Sequence, residues 1–153
     1  MKINYLDEAM KLAREAAAHD EVPVGAVIVC NNRIIASGRN DREEVQSAIG
    51  HAEIRAIESA SKVIGSWRLN DCDLYVTLEP CPMCLSACQQ ARIRKVVYGA
   101  KDEKGGAICL GYHVHSDQRM NHRFEVIHEP NEDCSKVLKE FFAAKRGKGT
   151  TSS

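Results

Sequence analysis

The sequence predicts an α/β fold: a mixed β-sheet covered by helices on both faces. Three observations carry that prediction. Segments with helical apolar spacing alternate with short apolar runs in the order α-β-β-α-β-α-β-β-α. The chain has 153 residues, the size of one domain, and a domain of this length buries roughly 68–70% of its unfolded surface without staples. The composition is that of a globular protein, with 44% apolar and 27% charged residues, ten Gly and four Pro.

Taken in order, Tyr5, Leu6, Ala9, Met10, Ala13, Ala16 and Ala17 recur at helical spacing, so residues 4–18 read as an amphipathic helix. Residues 24–30 and 33–37 flank Asn31-Asn32 and read as a hairpin, because Asn tolerates the positive φ that a two-residue turn demands. The polar stretch 40–50 reads as a loop. Ile54, Ile57, Ala60 and Ile64 make 51–64 a second helix. A strand at 73–78 leads through Pro80 into a helix from Cys81 to about Ala91, and 94–100 is the next strand. Residues 101–122 form a loop of the length that usually carries function, and 123–127 is the last strand. Asn131 caps the final helix, with Glu132 and Asp133 in its first turn and Gly147 after its end. Residues 1–146 are thus the domain, and 147–153 are expected to be a disordered tail.

Lys plus Arg and Asp plus Glu both number 21, so the net charge is zero and a polybasic coat for nucleic acid is excluded. A local patch is not. Lys136, Lys139, Lys145, Arg146 and Lys148 face only Glu140 within residues 136–148, so the last helix could track phosphates or simply suit its own dipole. No stretch reaches the roughly 18 apolar residues of a membrane span. Acids at Asp7 and Glu8 replace the basic or apolar run of a targeting peptide, so a cytoplasmic location is expected. Seven cysteines, an odd number at uneven spacing, argue against a disulfide framework there. Metal binding, catalysis or burial must account for them.

The sharpest signal is His51-Ala52-Glu53 followed by Pro80-Cys81-Pro82-Met83-Cys84. Cys81 and Cys84, at i and i+3, neighbour each other on a helix N-terminus, whose partial positive charge favours thiolates. One His and two Cys make three zinc ligands and leave a fourth tetrahedral position for water. Positions i and i+2 of a helix lie about 200° apart. Glu53 therefore converges with His51 only if the pair sits at the first turn, where the carboxylate reaches the water and moves its proton without ligating. Other readings of the same residues are a thioredoxin-like Cys-x-x-Cys pair, a structural zinc site with Cys88, Cys72 or His122 as fourth ligand, or a surface His51 beside core cysteines.

His51-x-Glu53 with Pro80-Cys81-x-x-Cys84 resembles the zinc deaminase signature of the cytidine/deoxycytidylate deaminase superfamily. Within it, residues 4–146 resemble the bacterial tRNA-specific adenosine deaminases. The resemblance includes Glu21-Val22-Pro23-Val24-Gly25-Ala26-Val27, Asn40, Thr77-Leu78-Glu79-Pro80-Cys81, Gly99-Ala100-Lys101-Asp102, Met120-Asn121-His122-Arg123 and Phe141-Phe142. It implies a three-layer α/β/α cytidine-deaminase-like fold with about five strands. It also implies one Zn²⁺ per subunit on His51, Cys81 and Cys84, with Glu53 as the catalytic proton carrier. The implied reaction converts adenosine to inosine at wobble position 34 of an arginine tRNA. Asn40, Val24, Asp102 and His122 are its implied substrate contacts, the anticodon loop its partner, and a homodimer its assembly, with the helix carrying Met83, Ala87 and Cys88 as a candidate interface. Two loops depart from the family pattern: Ser47-Ala48-Ile49-Gly50 stands where Asp-Pro-Thr-Ala is usual, and Gly105–Gly111 where a Gly-Ser-Leu-like segment is common. A guanine, cytosine or nucleoside deaminase acting on free small molecules is the alternative enzyme, and a non-catalytic zinc-stabilised RNA-binding subunit the alternative outside catalysis.

Overall fold

A computed structural model describes residues 3–147. In chain order it contains α1 (Tyr5–Ala18), β1 (Gly25–Cys30), β2 (Arg33–Arg39), α2 (Ala52–Ile64), β3 (Cys72–Leu78), α3 (Pro82–Gln90), β4 (Lys95–Ala100), the short α4 (Ala107–Leu110), β5 (Glu125–His128) and α5 (Glu132–Gly147). The sheet has five strands in the order β2-β1-β3-β4-β5. β1 runs antiparallel to both β2 and β3, whereas β3, β4 and β5 are parallel. The mixed sheet is the one the element order called for.

Local chemistry fixes the corners. Asn4 Oδ1 accepts from the amides of Leu6 and Asp7 and starts α1. Asn31 and Asn32 take φ values of 51° and 62°, the pair of positive angles that lets a two-residue turn follow the strand twist. Asn131 Oδ1 accepts from the amides of Asp133 and Cys134, which caps α5.

Three layers result. α1 lays Ala9 against Val27 and Val29 on one face, where α5 also packs through Cys134 beside Met10, Ala13 and Ala100. On the other face Ala56 and Ala60 of α2 and Leu85 and Cys88 of α3 meet Ile28, Leu74, Val76 and Val96. Gly38 brings β2 against the α2 backbone so closely that a Cβ there would run into Ala52 O and Ala56 N. Glycine at this position therefore sets how deep α2 sits, and with it the height of His51 above the sheet.

Four expectations are corrected. β2 continues to Arg39, because Gly38 and Arg39 pair with Ala26 and Gly25 on an edge strand that tolerates polar residues. β5 begins at Glu125, because the Phe124 amide bonds to His115 O instead of to β4. The 101–122 loop contains α4, which starts where the Ala107 amide donates to Pro80 O. Gly147 is the last helical residue of α5, not the residue after it. The rest of the expected tail, residues 148–153, lies outside the described residues, and Lys148 with it.

Candidate active site

The site assembles where two helices begin over the carboxyl end of β3. Pro80 breaks the strand, Cys81 takes an extended backbone as N-cap of α3 (φ −72°, ψ 169°), and Pro82 supplies the fixed φ of a first helical position. His51 is likewise extended (φ −93°, ψ 151°) and is the N-cap of α2. The His51 imidazole makes no capping bond to α2, so it is free to point at the two thiols of α3. His51 Nδ1 lies 3.6 Å from Cys81 Sγ and 3.4 Å from Cys84 Sγ. All three donor atoms lie within 4.8 Å of one another, and no other such group of three occurs among the described residues.

These separations suit a shared ion. Zinc–sulfur bonds of about 2.3 Å and zinc–nitrogen bonds of about 2.05 Å at a tetrahedral angle place N and S roughly 3.6 Å apart. The donor chemistry fits as well, with a borderline nitrogen and two sulfurs that share a single proton readily. A hydrogen bond from the Cys84 thiol, helped by His51, holds Cys81 down at about 4. Cys84 itself is pushed up by its bond to Cys81 and by burial. The expected fourth protein ligands are elsewhere: Cys88 sits in the core, Cys72 lies at the opposite end of β3, and His122 Nε2 faces Ile93 O at 2.8 Å. Three donors with an open fourth position remain.

Glu53 occupies the second position of α2, two residues after the His51 cap, which is the first-turn placement that convergence requires. Its carboxyl is 4% exposed. Burial pushes it up to about 7, against the lowering effect of His51 and of the Cys84 thiol. A carboxyl poised there both takes and returns a proton near neutral pH.

A pocket of about 160 Å³ opens above this cluster, lined by Val22, Val24, Asn40, Arg42, Glu53, Leu78 and Asp102 among others. The structure thus brings Asn40, Val24 and Asp102 into the pocket beside the His51–Cys81–Cys84 donors. Asn40 Nδ2 donates to Val22 O (3.2 Å) and its Oδ1 accepts from the Arg42 amide (3.3 Å), which clamps the loop to the pocket wall. Asp102 Oδ1 accepts from the amides of Lys104 and Gly105 at the rim. His122 does not join them. It stacks on Phe124 (centroids 5.6 Å apart) and is not among the residues that line the pocket.

Two residues to which the sequence assigned no role prove structural here. Glu79, 3% exposed, is the post from which both rim segments hang: it accepts from the amides of Asp102 (3.0 Å) and Cys109 (2.9 Å) and from the Cys109 thiol (3.0 Å). Burial alone would raise this carboxyl, but those bonds outweigh it and hold it low. Glu21, also buried, receives the amides of Glu43 (3.2 Å) and Glu44 (2.6 Å) and so fixes the 40–50 loop. Buried carboxylates that serve loop amides leave no periodic trace in a sequence. Arg42, which lines the pocket, was equally invisible in a polar loop.

The sequence profile of the MafB19-like deaminases matches residues 2–146. A tRNA-specific adenosine deaminase of Bacillus subtilis (strain 168) is 46% identical over 145 residues, which cover 94% of this chain and 90% of that one. A solved structure from work on A-to-I editing by tRNA:A34 deaminases is 38% identical, with a TM-score of 0.79 over 88% of this chain and 98% of the other. The chain belongs to the tRNA-specific adenosine deaminase family. A guanine deaminase from Bacillus subtilis is more distant, at 31% identity and a TM-score of 0.64 over 94% and 95% of the two chains. In this deaminase the five-stranded mixed sheet and the His51–Cys81–Cys84 donor cluster occur together.

A second, larger groove of about 1030 Å³ shares Val22, Asn40 and Arg42 with the pocket and runs outward between His19, Glu43, Phe141, Phe142 and Arg146. The two phenylalanines meet edge to face (5.4 Å) along this groove, with Phe142 43% exposed. Lys145 on the same wall pairs with Asp20 at 2.6 Å.

Proposed function

We propose that this deaminase hydrolyses adenosine to inosine at wobble position 34 of a tRNA anticodon, with arginine tRNA as substrate, as a cytoplasmic homodimer holding one Zn²⁺ per subunit on His51, Cys81 and Cys84. The observation that carries the reading is the buried Glu53 carboxyl set beside a three-donor cluster at the floor of one narrow pocket. When bound, zinc supplies a Lewis acid that activates water for attack on C6 of the base. The protein supplies the rest. Glu53 takes the first proton of that water and delivers it to adenine N1. It then carries the second to the amino nitrogen, which leaves as ammonia and gives the C6 carbonyl of inosine. Val22, Val24 and Leu78 form apolar walls for a flat ring. Asn40, with one amide hydrogen and one lone pair left after its backbone bonds, reads the base edge.

The groove beside the pocket distinguishes an RNA substrate from a free base. Aromatic faces at Phe141 and Phe142 suit splayed bases, and Arg42 and Arg146 suit the phosphates between them. A base in a single-stranded loop is also the cheapest to extrude. Charge reversal at Arg146 together with Lys148 is expected to weaken binding to an anticodon stem-loop and to flatten its salt dependence by roughly 0.7–0.9 log units per lost phosphate contact. A titration at several salt concentrations reads both, and an unchanged slope removes α5 from the RNA interface. Inosine in arginine tRNA, read as G after reverse transcription, tests the reaction itself.

The dimer is expected to use the outer surface of α3, where Met83 and Ala87 are partly exposed; Cys88, expected with them, is buried in the core and drops out of that surface. Light scattering should report twice 17.0 kDa at micromolar concentration, and a monomer mass there contradicts the assembly.

A further inference from the structure

Two cysteines that the site does not use face each other across the sheet. The antiparallel register of β1 and β3 sets Cys30 directly opposite Cys72. Cys72 O accepts from the Arg94 amide beside β4 (2.8 Å), and its own amide donates to Leu69 O (3.0 Å). Both backbone groups of Cys72 are therefore committed away from β1, which makes Cys30–Cys72 a non-hydrogen-bonded pair of the ladder. In such pairs the Cα atoms stand about 4.5 Å apart and the side chains are at their closest. A disulfide spans Cα separations of roughly 4.4–6.8 Å. The two side chains also share one face: Cys72 lies in the core cluster with Ile28 and Leu74, and the partly buried Cys30 packs against the same cluster. Burial pushes the Cys72 thiol up to about 12, and its hydrogen bond to the Cys30 sulfur adds to the rise.

We propose that Cys30 and Cys72 are a peroxide-responsive pair that closes a reversible cross-strand disulfide and staples β1 to β3. Cys30, the more accessible of the two, attacks hydrogen peroxide as the thiolate. An S–O bond forms, the O–O bond breaks, and the departing hydroxide takes up the proton the thiol gave up and leaves as water, so that Cys30 becomes the sulfenic acid. The Cys72 sulfur then attacks the Cys30 sulfur. The S–S bond forms, the S–O bond breaks, and the hydroxide departs as a second water with the Cys72 proton. Each thiol sulfur gives up one electron, and the peroxide takes two. A reducing cytosol keeps the pair open until peroxide arrives and reopens it afterwards. No other cysteine is placed this way. Cys88 and Cys134 are buried, Cys81 and Cys84 belong to the metal cluster, and the Cys109 thiol is held by Glu79. The pair sits at the start of β3, whereas the active site lies beyond its end, roughly 20 Å along the strand.

The test treats the purified full chain, its metal retained, with hydrogen peroxide, alkylates the free thiols and maps the digest without reduction. The expected result is a linked Cys30–Cys72 peptide that dithiothreitol dissolves. Its counterpart is a melting temperature roughly 5–10 °C above that of the reduced protein, a rise that Cys30→Ser lacks. Recovery of Cys30 as a free thiol or a sulfinic acid without linkage to Cys72, or its linkage to any other cysteine, overturns the proposal. The mapping uses the unmodified chain, so it stands even if a variant folds poorly.

Discussion

Glu53→Ala is expected to lower deamination by at least about 10²–10⁴-fold while leaving metal content and fold unchanged. The lower bound is the range for a single positioned proton carrier, and Glu53 serves two transfers in one turnover. The three candidate metal donors are His51, Cys81 and Cys84, without Glu53, so the loss of its carboxyl is expected to leave the ligand set intact. The Gln variant sharpens the test, because it keeps the shape of the side chain and removes only the titrating oxygen. Steady-state rates on an anticodon stem-loop, with metal analysis and far-UV circular dichroism on the same preparations, separate the outcomes. Activity above about a tenth of wild type means that another group moves the protons.

Cys84→Ala is expected to lose both activity and metal, and to melt roughly 10 °C below the zinc-loaded protein. The size follows from linkage: a ligand at about a thousand times its dissociation constant stabilises by roughly 4 kcal/mol, and each kcal/mol is about 2–4 °C in a domain of this length. An ion held by His51, Cys81 and Cys84 would tie the starts of α2 and α3 together, so its loss is expected to loosen both. A strong chelator applied to the wild-type protein should reproduce the same drop and do nothing further to the variant. Full zinc retention by Cys84→Ala contradicts the ligand assignment.

The sequence disclosed most of what these two experiments probe. The His51–Cys81–Cys84 cluster was legible because metal ligation demands particular residue types at particular spacings, and Pro80 and Pro82 mark the helix start that carries the two cysteines. The strands were legible for a similar reason, since Val27 to Val29 and Leu74 to Val76 form near-continuous apolar runs of the kind a sheet buried on both faces requires. The site walls were not. Glu79 and Glu21 act through bonds to amides more than twenty residues away, and no local pattern announces a carboxylate of that kind. α4 was missed because a four-residue helix held by Pro80 O has no periodicity to read. Phe141 and Phe142 line a groove together with Glu43 and Glu44, a meeting of α5 with a distant loop that no local pattern announces. His122, drawn in by likeness to a family motif, bonds to the backbone of Ile93 instead of facing the pocket. Spacing carries chemistry well and carries surface shape poorly.

The account rests on a pocket that works only with the groove beside it, and side-by-side turnover tests that most directly. An anticodon stem-loop with adenosine at position 34, free adenosine, free cytidine and free guanine are offered to the same enzyme, with ammonia release measured in each case. Binding energy from the remote parts of an RNA is what positions the reacting base, so the stem-loop is expected to turn over and the three small molecules to give background. Robust turnover of free guanine or cytidine with none on the stem-loop would contradict the account and assign the site to a small-molecule deaminase.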